Sequence, residues 1–258
     1  MGAEVRVAYE AGALVLTLSN PGLRNALAPE MYEALLPAFE RAAADPGVHC
    51  VIVTGADGFF CAGGNLNRLL ANRSQPRQVQ QDSIAKLHSM VRALAACPKP
   101  VIAAVEGAAA GAGLSLALGC DMIVASTSAK FVMSYVQVGL SPDGGGSWLA
   151  SHALPRQIAS QMLLMGEPFT SARLYDLGLV NEVVSDGLAL SSALNLASRL
   201  EKLSSHAIAR IKGLMVKAAS SSFDAHLDAE RDAFVDCLHH PDAGVAIEAF
   251  LSKRSKRN

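Results

Sequence analysis

The sequence predicts an α/β fold in which strand, turn and helix units fill the chain to about residue 184 and helices alone follow. Three observations carry this. Short apolar runs without helical spacing, at 50–54 and 101–105, read as strands buried on both faces. Bare stretches of glycine and alanine follow them, and each leads into good helix formers. From residue 188 on, apolar residues recur only at helical spacing, over 188–200, 206–219, 223–238 and 243–252. The chain of 258 residues is long enough for one large domain with an appendage. The expected division is a core over 1–190 and a helical region over 191–258.

Composition narrows the classes. Hydrophobic residues make up 51% of the chain and the net charge is −1, so a sizeable core is expected and general attraction to nucleic acid is not. The longest apolar runs break well short of the ~18–20 residues a membrane span needs, so no membrane segment is expected. The N-terminus lacks a basic region followed by an apolar one, so no signal peptide is expected. Cys50, Cys61, Cys97, Cys120 and Cys237 are scattered, odd in number and free of C-x-x-C spacing. They read as reduced thiols of a cytoplasmic protein, mostly buried, with no metal role.

In chain order, 5–9 and 14–18 alternate as two strands joined around Gly12, and 20–27 is a turn by composition. Pro29 fits the first turn of a helix reaching Ala44, which Pro37 should kink. The strand at 50–54 leads through a turn to Gly63 and Gly64, and Asn65 can cap the helix that follows. Residues 68–79 are polar, with a mobile loop expected at 72–76. Next comes an amphipathic helix over 84–96, with Leu87, Met90, Val91 and Leu94 on one face and His88 near it. After the strand at 101–105, residues 107–113 carry nothing bulkier than alanine, and a helix runs from 114 to 119. Short strands are expected at 121–125 and 130–132, then helices from 144 and over 154–165. Thr170 is positioned to cap a further helix ending at Gly178, and 180–184 is the last strand.

The bare turn at 107–113 carries the chemistry. A glycine-rich turn between strand and helix exposes N–H groups and the positive end of a helix dipole to a ligand. It is not a dinucleotide turn, because Leu116 stands where G-x-G-x-x-G needs its third glycine, and no Lys-Ser or Lys-Thr makes it a P-loop. It either holds a developing oxyanion or only lets a helix pack closely on a sheet.

Lys99-Pro100-Val101-Ile102-Ala103-Ala104-Val105, 107–114, Ala129-Lys130-Phe131 and Gly139-Leu140 with Pro142 together resemble the enoyl-CoA hydratase/isomerase (crotonase) superfamily. The likeness covers nearly the whole chain. Over 129–148 it is most similar to the epoxide/oxepin-CoA and 2,3-dehydroacyl-CoA isomerases of phenylacetate breakdown. The resemblance implies a crotonase-like ββα spiral core, a C-terminal helical trimerisation region and a homotrimer or hexamer. It implies an acyl-CoA thioester substrate with no metal and no further cofactor, coenzyme A being part of the substrate.

The same resemblance assigns residues. The N–H groups of Gly64 and Ala112 become the two oxyanion donors, and Arg24, Ala26, Ala62, Asn65 and Leu66 lie along the CoA and acyl path. Arg24 reads otherwise as a surface arginine, and Asn65 stands where the family often has aspartate. Phe250 and Lys253 match a Phe-x-x-Lys that reaches a neighbouring subunit's CoA; a solvated tail is the alternative. The two glutamates of the hydratases correspond to Ser115 and Tyr135, so ordinary hydration is disfavoured. Asp143 is the nearest carboxylate, either the acid/base or a helix cap. Tyr135 lines the acyl pocket or fills the core, and Glu106 reads as structural. The expected reaction is isomerisation by one aspartate through an enolate. The alternatives are a dehalogenase or thioester hydrolase using Asp143 and His88, and an acyl-CoA binder without catalysis.

Overall fold

The computed structural model describes residues 2–255, with the side chains of 253–255 left out. The chain opens with β1 (Glu4–Glu10), β2 (Ala13–Ser19), α1 (Pro29–Ala44) and β3 (Cys50–Gly55). The short α2 (Leu66–Asn72) and the long α3 (Arg77–Ala96) precede β4 (Val101–Val105), β5 (Ala108–Ala110) and α4 (Ala112–Gly119). Then come β6 (Met122–Ser126), β7 (Lys130–Val132), a 3-10 turn at Ser134–Val138, α5 (Gly146–Ala153) and α6 (Arg156–Met165). The core closes with β8 (Phe169–Thr170), α7 (Ser171–Asp176), β9 (Glu182–Val184) and α8 (Ala189–Leu200). Helices α9 (Ser205–Ala218), α10 (Phe223–Leu238) and α11 (Pro241–Ser255) end the chain.

The larger sheet has the order β1-β2-β3-β4-β6-β9, and only β1 runs antiparallel to its neighbour. Side chains alternate across it, as a pleated strand requires. Leu14, Leu16, Val51, Val53, Val101 and Ala103 face α1 and α3, whose Leu35, Phe39, Leu87 and Met90 are buried against them. Ala13, Val15, Ile52, Ile102 and Val124 face the other way, under α8. Ala189, Ala193 and Ala197 form the buried stripe of that helix, and their small size brings it close to the sheet. The sheet's covering layer therefore extends past the expected division at 190/191, to Leu200.

Several elements differ from the sequence reading. Residues 108–110 form a strand, β5, in a second sheet of order β5-β7-β8. Alanine has little strand preference, so the strand forms because its backbone is paired on β7. Helix α3 begins at Arg77 rather than 84, which leaves only 73–76 between it and α2. Helix α4 begins at Ala112, two residues early, and α5 only at Gly146, two residues late. Helix α1 has its expected bounds, Pro29–Ala44, with Pro37 inside it. The caps match expectation: Asn65 Oδ1 accepts from the N–H groups of Asn67 and Arg68, and Thr170 Oγ1 accepts from Arg173 N. Cys50, Cys61 and Cys97 are buried, and Cys120 and Cys237 are partly so. Among the described residues no helix is long and apolar enough to cross a membrane, and no cluster of His, Cys, Asp or Glu could hold a metal.

One ion pair ties α9 to the sheet. Lys212 Nζ donates to Asp121 Oδ2 at 2.6 Å and to Lys99 O at 3.0 Å, and the same Asp121 oxygen accepts from Val101 N at 2.7 Å. The lysine side chain is 10% exposed and the aspartate 23%. Removing one partner of such a pair strands the other, which costs more than the pair itself contributes. Lys212→Met is therefore expected to lower stability by about 3 kcal/mol, at the low end for buried pairs because both groups keep some solvent. A urea denaturation series reads the loss, and Lys212→Met/Asp121→Asn should regain part of it.

Candidate active site

Two small-residue segments lie edge to edge beyond the ends of β3 and β4. Cys61 N donates to Ala108 O at 3.0 Å and Ala110 N donates to Cys61 O at 2.9 Å, a parallel bridge between Cys61 and Ala109. On the other edge Leu27 N donates to Gly63 O at 2.7 Å and Ala62 N to Arg24 O at 3.0 Å. No side chain fits in this contact. A Cβ on Gly63, whose φ is +88°, would stand 2.5 Å from Ala110 O and 3.2 Å from Ala112 N. A Cβ on Gly113 would stand 2.5 Å from Cys61 O and 2.8 Å from Cys61 Cβ. Gly64 follows the first segment and Ala112 opens α4 after the second. The Gly64 N–H has no acceptor among the described residues, and the Ala112 N–H, in the first turn of a helix, has no intrahelical one. Both residues line one cavity of about 630 Å³.

Asp143 lines the same cavity, half-buried. It does not cap α5: the cap position is Gly145, and no side chain bonds the helix start. Two hydroxyls hold Asp143 instead. Tyr135 donates from its hydroxyl to Asp143 Oδ1 at 2.5 Å, and Ser115 Oγ donates to the Asp143 main-chain oxygen at 2.9 Å. Ser115 projects from the first turn of α4 and is 1% exposed; Tyr135 sits on the 3-10 turn. Burial, and then the adjacent Asp143 charge, pushes the Tyr135 hydroxyl far above its ordinary range, so it remains a donor at any working pH. Ser115 and Tyr135 are the positions matched to hydratase glutamates, and here both serve the single aspartate.

The expected site residues separate into two sets. Asp143, Gly64, Ala112, Ala62, Leu66 and Tyr135 meet around the cavity, and His88 lines it as well. Arg24, Ala26, Asn65 and Phe250 do not line it. Arg24 is exposed, with its guanidinium 5.5 Å over the Phe59 ring, and Ala26 is buried beside it. Asn65 is a helix cap, and Phe250 is 69% exposed on α11. The Lys253 side chain lies outside the described residues. Glu106 is structural, as expected: its Oε1 accepts from Ala189 N at the start of α8. Sequence reasoning passed over Tyr32 on α1 and Arg68 on α2, both in the cavity wall. The one sequence signal for Arg68 is its place in the first turn of the helix that follows Gly64.

A bare-backbone cleft with two unpaired N–H groups and one anchored carboxylate fits acyl-thioester chemistry, and the comparisons agree. The enoyl-CoA hydratase/isomerase family model matches residues 8–257, and the chain belongs to that family. It is 36% identical to the 1,2-epoxyphenylacetyl-CoA isomerase of Escherichia coli (strain K12), over 95% of this chain and 94% of that one. It is 34% identical to the 2,3-dehydroadipyl-CoA hydratase of the same organism, over 98% and 97%. Among solved structures, an enoyl-CoA hydratase from Polaromonas sp. JS666 superposes with a TM-score of 0.95 at 52% identity, covering 96% of this chain and 97% of that one. The fold is thus the crotonase fold.

The contact between the two segments sets the site's geometry, so Gly113→Ala is expected to separate them. Overpacking of this kind costs ~1–3 kcal/mol. Acyl-CoA affinity, measured by calorimetry, should fall further than the melting temperature alone would account for.

Proposed function

We propose that this protein is an acyl-CoA isomerase that shifts a double bond, or rearranges a ring, through an enolate. The observation that carries the reading is the pair of hydroxyls on Asp143. Hydration by two glutamates needs carboxylates at positions 115 and 135, and this chain has a serine and a tyrosine there, the tyrosine bonded to the Asp143 carboxylate and the serine to the Asp143 main-chain oxygen. A single base suffices for isomerisation. Asp143 takes a proton from the carbon beside the thioester carbonyl, and the electron pair moves into the enolate and its conjugated double bond. The protonated Asp143 then returns the proton to the far allylic carbon. Tyr135 holds Oδ1, which leaves Oδ2 for the substrate.

The N–H groups of Gly64 and Ala112 take the charge that develops on the thioester oxygen, stabilising the enolate more than the ground-state carbonyl. Arg24, whose main-chain oxygen accepts from Ala62 N at the cavity edge, and Ala26 close by in the same turn lie along the coenzyme A arm. No metal or redox cofactor enters this scheme. A relative named as an epoxide isomerase of an acyl-CoA agrees with a ring rearrangement on the same base.

One observation favours a second reading. His88 lines the cavity that holds Asp143, the arrangement a thioester hydrolase or dehalogenase would use, with Asp143 as nucleophile and His88 activating water. Deuterium exchange into a 3-enoyl-CoA in heavy water separates the two. Exchange with migration of the double bond, abolished in Asp143→Asn, is expected. Tyr135→Phe should keep the exchange but lower kcat by roughly tenfold to a hundredfold at little change in KM, the scale of one hydrogen bond to a charged group. Release of free CoA without exchange, or of halide from a halogenated aromatic-CoA, would replace the isomerase reading.

The assembly proposed is a homotrimer or a dimer of trimers built on the last helices. Phe223, Phe234, Val245 and Phe250 are 68–76% exposed on α10 and α11, more apolar surface than a monomer ordinarily leaves in water. Light scattering should return three or six times the chain mass of 26.9 kDa; a monomer would overturn this.

A further inference from the structure

The isomerase scheme uses none of the three arginines that line the cavity, and one of them is shielded from solvent. Arg68 stands in the first turn of α2, and its half-buried side chain forms part of the wall shared with Tyr32, Gly64, Ala112 and Asp143. Its Nε and Nη1 are shielded from solvent, and neither has a hydrogen-bond acceptor among the described residues. Tyr32 is 5% exposed and lies within interaction range of the guanidinium. Burial raises the Tyr32 pKa while the Arg68 charge and hydrogen bond pull it down; Asp143 acts on the same phenol. The guanidinium and Tyr32 therefore face the same cavity as Asp143.

Buried donors on a guanidinium that cannot lose its proton are costly without an acceptor. The charge balance of the wall points the same way. Arg68, Arg73 and Arg77 line the cavity against a single carboxylate, Asp143, with Gln80 and Gln81 among the neutral polar groups. Arg73 and Arg77 are exposed at the rim, and Arg68 alone brings its charge inside. A plain hydrocarbon chain would bury these donors further and satisfy none of them. A carboxylate satisfies them with charge-assisted hydrogen bonds.

We propose that Arg68, with Tyr32 beside it, is an anion subsite for the far end of the acyl group, and that the substrate class is the coenzyme A monothioester of a dicarboxylic acid. This rests on the acyl-CoA reading above and goes beyond it by naming what the acyl chain carries. A phosphate of coenzyme A offers the same acceptor chemistry from another source, so the test separates the two.

Calorimetric titration of the wild type compares succinyl-, glutaryl- and adipyl-CoA with butanoyl-, pentanoyl- and hexanoyl-CoA and with free CoA. At the chain length that fits, the carboxylate ligand should bind at least tenfold tighter than its methyl-ended partner. Arg68→Met should erase that preference while leaving the methyl-ended thioester and free CoA unchanged. Arg68→Lys, which keeps the charge, should retain part of the preference; this separates loss of the subsite from general disruption of α2. Equal or tighter binding of the methyl-ended series in the wild type overturns the subsite and leaves the isomerase reading standing. Equal weakening of all ligands, free CoA included, assigns Arg68 to a coenzyme phosphate. Failure of every thioester to bind overturns the acyl-CoA reading together with the subsite.

Discussion

The close approach of two backbones, 61–64 against 108–113, is the constraint on which the site depends. Two hydrogen bonds at Cys61 hold it, and Gly63 and Gly113 leave it room. Its cost is specific: any side chain at either glycine would collide with main-chain atoms that cannot swing away. In return, the N–H groups of Gly64 and Ala112 are presented on rigid elements at the mouth of α4. A donor array of this kind needs no reorganisation when charge develops, which makes preorganised amides effective in a dry cleft. The alanines at 108–110 follow from the same constraint, since they form a strand by pairing with β7 and not by their own preference.

The second layer of the site is electrostatic economy. Among the described residues Asp143 is the one carboxylate lining the cavity, and two neighbouring hydroxyls hold that residue, Tyr135 at Oδ1 and Ser115 at the main-chain oxygen. Ser115 fixes the backbone of Asp143 from α4, the helix that also presents Ala112. Asp143 and the Ala112 N–H therefore share a support, and a shift in α4 would move both together. Tyr135 binds one carboxylate oxygen and, because its own ionisation is pushed away by burial and by that charge, never competes with it as an anion. Two further carboxylates here would repel the first and hold protons unequally; two hydroxyls avoid this.

Much of this was legible in the sequence, for identifiable reasons. The strands at 50–54 and 101–105 are apolar on both faces, and only a doubly covered sheet produces that pattern. The N-caps at Asn65 and Thr170 are local chemistry and read locally. The bare backbone at 107–113 was legible as either an anion-binding turn or a close packing contact, and Gly64 and Ala112 were singled out by the family resemblance alone. Strand β5 was not, since its pairing comes from residues about twenty positions on. Asp143 was placed at a helix start because Gly144, Gly145 and Gly146 obscure where α5 begins. Arg68 was missed for a similar reason: in a polar stretch, an arginine that turns its Nε and Nη1 out of solvent and one that leaves them in water look alike in the sequence.

The division of labour in the cavity follows from these supports. The amides and the base stand on α4 and on segments pinned to the sheet, where packing restricts motion. The opposite wall is α2 and the start of α3, and α2 buries no residue completely. A helix with so little core commitment can change its side chains with small cost to stability, since surface substitutions seldom exceed half a kcal/mol or so. Chemistry and selectivity therefore sit on elements under different constraints. The clamp between 61 and 113 has no room for side chains at its glycines, whereas α2 is held by few buried contacts. Under the proposal above, the charge on that wall is the part of the site that distinguishes one acyl group from another.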